Sequence, residues 1–195
     1  HDASIFQVKP SLIVRPKDTE DIKNLVKWVV DNKDSRKELS LTARSGGTDM
    51  SGGSLNDSIV LDFTAHFNRV LEVVPISSKF KEFGKEIEDP RFYNSDNVGG
   101  KIGRGGYAVT EPGVFYRDFE KKTLEKGLIL PCFTASKTIN AMGGMFGNNS
   151  AGERTLKYGK TEDYILETKV VFADGEERTV KPVSLNQISE QGEIY

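Results

Sequence analysis

The stretch Leu39-Ser40-Leu41-Thr42-Ala43-Arg44-Ser45-Gly46-Gly47-Thr48-Asp49-Met50-Ser51-Gly52-Gly53 changes character in its middle. Residues 39–43 alternate apolar and polar, which predicts a strand. From Arg44 onward the alternation stops and glycines take over. Glycine has no Cβ, so it tolerates positive φ and lets backbone approach a ligand closely. Successive exposed N–H groups in such a loop form a concave nest for anions, phosphate above all. Arg44 and the hydroxyls of Ser45 and Thr48 add donors at the same place. A diphosphate is the guest that this chemistry suits.

Upstream, Leu12-Ile13-Val14 reads as a short strand ending before Pro16. A helix is predicted from Asp18 to about Lys33. Ile22, Leu25, Val26, Val29 and Val30 recur on one face, Asp18 suits the N-cap, and Glu20 and Asp21 load the first turn with negative charge. Downstream, residues 58–63 and 69–76 read as strands, and polar residues 77–98 read as a long surface loop. Residues 107–110 form the next strand. A helix follows over 114–126, with Gly127 as its C-terminal glycine. Leu128-Ile129-Leu130 reads as a short strand. Residues 164–173 and 176–181 read as a hairpin turned by Asp174-Gly175. This order predicts an α+β fold of two α+β subdomains, residues 1–68 with the first glycine loop and residues 69–195 with the second.

The second glycine-rich segment is 143–152, inside the small-residue run 139–152. Two loops of interleaved Gly, Ser, Thr and Asn argue for a ligand more strongly than one Gly-Gly turn does. Two familiar nucleotide motifs fail on context. Gly103-Arg104-Gly105-Gly106-Tyr107-Ala108 has Rossmann spacing, but β-prone residues and Pro112 follow where a helix should open. Gly159-Lys160-Thr161 resembles the end of a Walker A loop, but Arg154 stands where that motif needs glycine.

The chain has 195 residues, 36% of them apolar, and a net charge of −2. That is enough apolar matter for a core. No basic stripe points to nucleic acid. No apolar run is long enough to span a bilayer, and no signal peptide is visible. The single cysteine, Cys132, rules out an internal disulfide and a cysteine metal cluster, and a cytoplasmic setting follows as the default. Asn56-Asp57-Ser58 and Asn148-Asn149-Ser150 fit the glycosylation sequon, a pattern frequent by chance. The start at His1 suggests a piece of a longer chain.

Taken in order, several segments resemble the FAD-binding (PCMH-type) domain of the vanillyl-alcohol oxidase/p-cresol methylhydroxylase superfamily. They are residues 44–53, Glu111-Pro112-Gly113-Val114, Pro131 with Thr134-Ala135-Ser136, and Met142-Gly143-Gly144-Met145-Phe146-Gly147-Asn148-Asn149-Ser150-Ala151-Gly152. Arg154, Leu156, Lys157, Tyr158 and Gly159 extend the last match. The set is most similar to the D-lactate dehydrogenase and glycolate oxidase branch and covers residues 8–181. The resemblance implies FAD held between two α+β subdomains, with Arg44, Ser45, Gly46, Gly47, Thr48, Asp49 and Met50 wrapping the pyrophosphate. It implies that Pro112, Gly113, Pro131, Thr134, Ala135, Ser136, Met142, Gly143, Gly144, Gly147, Asn148, Asn149, Ser150 and Gly152 line the rest of the cofactor. Arg154, Lys157 and Tyr158 are further candidates to border the flavin.

The departures from the family pattern are also informative. Thr48 stands where some relatives carry a His linked covalently to the flavin, so the resemblance implies non-covalent FAD. Asp49 replaces the more usual Ser or Asn. A carboxylate is repelled by a diphosphate unless it points away or caps a local N–H. Phe133 replaces a common Asp. His1 and His66 match no family position. The family continues into a substrate or cap domain carrying the substrate-binding Arg and the catalytic His, and no such stretch occurs before Tyr195. The expected function is therefore the FAD-binding part of an oxidase or dehydrogenase of a 2-hydroxy acid, with no acid or base assigned in this chain. The electron acceptor is left open, as is a peripheral place at the inner membrane. Two other readings stand beside it: a non-catalytic FAD-holding subunit working through a partner, and an NADPH-dependent UDP-sugar enolpyruvyl reductase-like flavoenzyme.

Overall fold

The computed structural model describes residues 1–75 and 105–181. The expected loop over 77–98 lies outside the described residues. The first part is a parallel sheet of three strands, β1 (Leu12–Val14), β2 (Leu41–Arg44) and β3 (Ile59–Asp62), in the order β1-β3-β2. Helix α1 (Thr19–Asn32) connects β1 to β2. It starts where the sequence predicts, with the Asp18 carboxylate accepting from the Asp21 N–H at 2.9 Å, which satisfies one of the first-turn N–H groups. Central β3 buries Ile59, Val60 and Leu61, as a strand hydrogen-bonded on both sides must. Val29 of α1 closes on Leu39 and Ile59, with Val14, Leu25 and Leu41 around them.

The second part begins with β4 (Val70–Pro75), paired antiparallel to β5 (Gly106–Thr110) with an irregularity between Val70 and Glu72. Helix α2 (Tyr116–Leu124) follows. It is shorter than the expected 114–126 because Val114 and Phe115 are engaged elsewhere. The Val114 carbonyl accepts from the Met142 N–H, and Phe115 forms a bridge with Ala141. Left-handed Gly127 (φ 71°) closes the helix. Residues 128–130 are not a strand, contrary to the reading above. The Leu128 N–H closes the end of α2 on the Thr123 carbonyl, and the Leu130 carbonyl accepts the Tyr116 hydroxyl at 2.7 Å. A chain tied this way to a helix end has no register left for a ladder.

The small-residue run is not one continuous loop either. Residues Met142–Gly147 form a short helix, α3, and Thr155–Tyr158 another, α4. Glycine is a poor helix former, so α3 owes its shape to its surroundings. Its first N–H groups meet fixed acceptors, and Met145 is buried with Val114, Tyr116, Phe119 and Phe133 in the second core. The chain ends its described part in the expected hairpin, β6 (Thr168–Val171) and β7 (Glu177–Val180), turned at Gly175 with φ 77°. Lys27 of α1 reaches Glu176 of that hairpin at 2.9 Å.

Candidate functional site

The first glycine loop leaves the carboxyl end of β2, beside the carboxyl end of β3. The crevice beyond the carboxyl ends of parallel strands is where open α/β sheets take ligands. Gly47 has φ 63°, a backbone shape that side-chain-bearing residues rarely adopt. The main-chain N–H groups of Gly46, Gly47, Thr48, Asp49 and Met50 have no hydrogen-bond partner among the described residues. Backbone donors must find water, protein or a ligand, so the loop offers a run of free donors. Asp49 does not spoil it. Its carboxylate is folded into its own turn and accepts from the Gly53 N–H at 2.6 Å and from the Ser51 N–H and hydroxyl. The Gly53 bond, then those from Ser51, hold its carboxyl below the usual range. Arg44 is occupied too: Nη2 donates to the His1 carbonyl at 2.6 Å and Nη1 to Ser54 Oγ at 3.3 Å. The backbone is thus the open donor surface of this loop, and Met50 is exposed at its end.

The loop rests directly on the second part of the chain. A Cβ on Gly46 would stand 2.8 Å from the Ile139 carbonyl oxygen and 3.0 Å from the Ala141 nitrogen. Ser45 Oγ accepts the Gly144 N–H at 3.0 Å, across a sequence separation of 99 residues. The other first-turn N–H groups of α3 are also taken, Met142 by the Val114 carbonyl and Gly143 by the Pro112 carbonyl, each at 2.8 Å. Residues 44–46, 112–114 and 139–144 therefore form one junction. Its glycines serve contact between backbones. A Cβ on Gly143 would meet Pro112, one on Gly113 the Phe63 carbonyl, and one on Gly152 the Phe133 carbonyl.

The segment 131–136 joins through a small polar cluster. Thr134 Oγ1 lies 2.9 Å from Ser136 Oγ and accepts from Asn140 Nδ2 at 2.9 Å. Ala135 sits between them, and Pro131 and Cys132 are buried at the segment's start. Burial pushes the Cys132 thiol up to about 11, so it stays protonated and unreactive. The Asn140 Oδ1 atom is buried without a partner. This cluster residue was not among those singled out by sequence, although it lies between two segments that were. Past α3, Asn149 (φ 44°) accepts the Glu162 N–H on Oδ1. The Ser150 carbonyl accepts the Thr161 hydroxyl, so both residues fasten the segment. A Cβ on Gly147 would meet nothing within 4 Å, and this end of α3, with Asn148 next to it, faces open space. Arg154 and Lys137 lie 4.9 and 4.5 Å from the Phe133 ring, cation–π distances. Lys157 lies against Tyr158, while His1 and His66 are exposed.

Glu111 anchors the 111–114 segment. It is buried and accepts from the Arg69 N–H and from Arg69 Nη2, each at 2.7 Å. Burial pushes its carboxyl up, but the bonds from Arg69 outweigh that and hold it below its ordinary 4.5. A lowered folded-state value means the contribution is complete above the unfolded value and fades as pH falls through the folded one. Urea midpoints should therefore drop as pH falls below 4.5. A Glu111→Gln chain should show a smaller drop across the same acid range. Equal acid slopes in the two chains would refute this role.

A loop of N–H groups without partners among the described residues, beyond parallel strands and seated on a second glycine-rich segment, is an arrangement suited to the diphosphate of a dinucleotide. Comparison with known proteins gives the same class. The family model described as "FAD binding domain" matches residues 10–84 and 91–181, and the chain belongs to that family. FAD is thus its cofactor, and the α+β fold expected from the order of strands and helices is found. D-2-hydroxyglutarate dehydrogenase of Escherichia coli (strain K12) is 25% identical over 182 residues, which are 93% of this chain and 15% of that protein. Glycolate oxidase subunit GlcD of Bacillus subtilis (strain 168) is 27% identical over 173 residues, 88% of this chain and 30% of that one. Among solved structures, 6-hydroxy-D-nicotine oxidase of Arthrobacter nicotinovorans superposes with a TM-score of 0.64 at 25% identity, covering 92% of this chain and 32% of that one. The chain thus spans less than a third of each of these proteins. No helix among the described residues is long and apolar enough to cross a membrane.

Proposed function

We propose that this chain is the FAD-holding part of an oxidoreductase acting on a 2-hydroxy acid. The observation that carries it is the loop of N–H groups from Gly46 to Met50 that find no partner among the described residues, seated on residues 139–141 through Gly46 and on α3 through Ser45. In this reading those N–H groups hold the FAD pyrophosphate. Pro112, Gly113, Pro131, Thr134, Ala135, Ser136, Met142, Gly143, Gly144, Gly147, Asn148, Asn149, Ser150 and Gly152 border the remaining parts, with residues 1–68 and 69–195 as the two halves around it. The free donors and the open side at Gly147 suit such a guest. Diphosphate negative charge meets N–H dipoles rather than Asp49, which is turned inward. FAD when bound supplies hydride-accepting redox chemistry. The protein's own part is binding, orientation and exclusion of side reactions. Thr48 has no nucleophilic nitrogen, so attachment is non-covalent. The substrate class rests on the D-2-hydroxyglutarate dehydrogenase and glycolate oxidase similarities, and the same reading places the protein in the cytoplasm.

The test has two readouts. Protein loaded with FAD and then denatured should release all its flavin as intact FAD into the filtrate; flavin retained on the polypeptide would contradict non-covalent binding. Anaerobic addition of glycolate, D-lactate or D-2-hydroxyglutarate to the flavin-loaded full protein should bleach its absorbance. Bleaching by NADPH, with none by the hydroxy acids, would replace the proposed reaction with a reductase one.

A further inference from the structure

Residues 1–9 lie outside the family match, which begins at residue 10. Yet residues 1–6 run across the first glycine loop and touch it at several points. The Ala3 N–H donates to the Gly47 carbonyl at 3.1 Å. The His1 carbonyl accepts from Arg44 Nη2 at 2.6 Å, and Asp2 Oδ2 accepts from Ser54 Oγ at 3.3 Å. Phe6 covers Gly52, its ring carbon 3.0 Å from where a Cβ there would stand. Asp2 also braces its own turn, taking the Ser4 N–H at 2.8 Å and the Ser4 hydroxyl at 2.6 Å.

One of these bonds bears on the cofactor. The Gly47 carbonyl and the Thr48 N–H belong to a single peptide plane, and that peptide is trans. In a trans plane the two groups point in opposite directions. A bond that fixes the Gly47 carbonyl on Ala3 therefore turns the Thr48 N–H to the other side of the loop, where no acceptor among the described residues meets it. The guanidinium of Arg44 lies beneath Gly47, so that a Cβ at Gly47 would collide with it. The same guanidinium is held by His1 and Ser54. On its other flank the loop is seated on residues 139–141 through Gly46.

We infer that residues His1–Phe6 form a positioning strap that sets the donor face of the loop before FAD arrives, with the Ala3 N–H as its key contact. The inference rests on the reading of residues 46–50 as the pyrophosphate site. The strap touches no cofactor atom in this account; it acts through Gly47. By reciprocity, FAD should also tighten the strap.

Proline at position 3 removes that one donor, whereas glycine keeps it. Ala3→Pro should raise the Kd for FAD and for ADP by about tenfold, the size of one lost preorganising hydrogen bond. Ala3→Gly should stay close to the parent chain. The melting temperature of the cofactor-free protein should fall by no more than a few degrees, because one exposed hydrogen bond is lost outside both cores. Hydrogen exchange gives the local readout. FAD should protect the amides of 46–50 in the parent chain and protect them less in Ala3→Pro. Equal Kd values and equal protection in the two chains would overturn the strap while leaving the site intact. Absence of protection at 46–50 in the parent chain would overturn the site and the strap with it. If Ala3→Pro fails to fold, Asp2→Ala loosens the strap from Ser54 and decides by the same Kd. In the parent chain, the Ala3 amide itself should exchange more slowly with FAD present, and an unchanged rate there counts against the strap.

Discussion

A Gly46→Ala chain is expected to lose FAD binding at micromolar cofactor and about 1–3 kcal/mol of stability. The added methyl group would stand 2.8 Å from the Ile139 oxygen and 3.0 Å from the Ala141 nitrogen. Both obstacles are backbone, and neither can rotate out of the way. Ala141 is buried, pairs with Phe115 and precedes the first turn of α3. To make room, the loop must lift from residues 139–144, which also strains the bond from Gly144 to Ser45. The N–H groups of 46–50 then lose the seat that holds them against residues 139–144. Flavin fluorescence quenching gives the affinity, and urea denaturation gives the stability. Gly147→Ala is the control for stability, since its methyl group meets nothing within 4 Å. That chain should be as stable as the parent. Unimpaired FAD binding by Gly46→Ala would show that the loop does not need its seat.

Tyr116→Ala should cost about 3–5 kcal/mol, the range for truncating a fully buried aromatic side chain. Tyr116 has no solvent exposure and lies 5.8 Å from Phe133 and 6.2 Å from Phe119, centroid to centroid. Its hydroxyl ties α2 to the Leu130 carbonyl, immediately before the 131–136 segment. Tyr116→Phe keeps the ring and gives up only that bond. Its cost should be about 1 kcal/mol, plus a little for the stranded carbonyl. The two variants separate packing from tethering. If Tyr116→Phe were as damaging as Tyr116→Ala, the hydrogen bond rather than the core would dominate. Because Phe133 and Met145 share this core, FAD affinity should fall in Tyr116→Ala at temperatures where the protein is still folded.

Much of the fold was legible because its signals are local. The recurrence of Ile22, Leu25, Val26 and Val29 in α1 and its Asp18 cap, the run Ile59-Val60-Leu61 and the Asp174-Gly175 turn each speak for themselves within a few positions, although Val30, predicted on the same face, is exposed. The misreadings occurred where distant contacts decide. Residues 128–130 look like a strand by composition, but they are used to close α2 and to anchor Tyr116. Residues 142–147 look like a loop because glycine favours no regular shape, and only the acceptors at Pro112, Val114 and Ser45 make them a helix. The site shows the same division. That residues 44–53 and 142–152 lie together was what the family resemblance implied, and Ser45 and Gly46 do meet residues 139–144. Why each glycine is there was not legible. The absence of a Cβ serves a ligand and a neighbouring backbone equally well, and Gly46, Gly113, Gly143 and Gly152 prove to face backbone. Asn140 and the strap carried no sequence signal at all, since a single Asn and six ordinary residues acquire meaning only from what they touch.

In the proposed function the N–H groups of Gly46 to Met50 hold the cofactor's diphosphate. Amide hydrogen exchange, with and without saturating FAD, tests it directly. Strong FAD-dependent slowing is expected at Gly46, Gly47, Thr48, Asp49 and Met50, reproduced by ADP, which carries the diphosphate without the flavin. Protection elsewhere in the chain with these amides exchanging unchanged would contradict it.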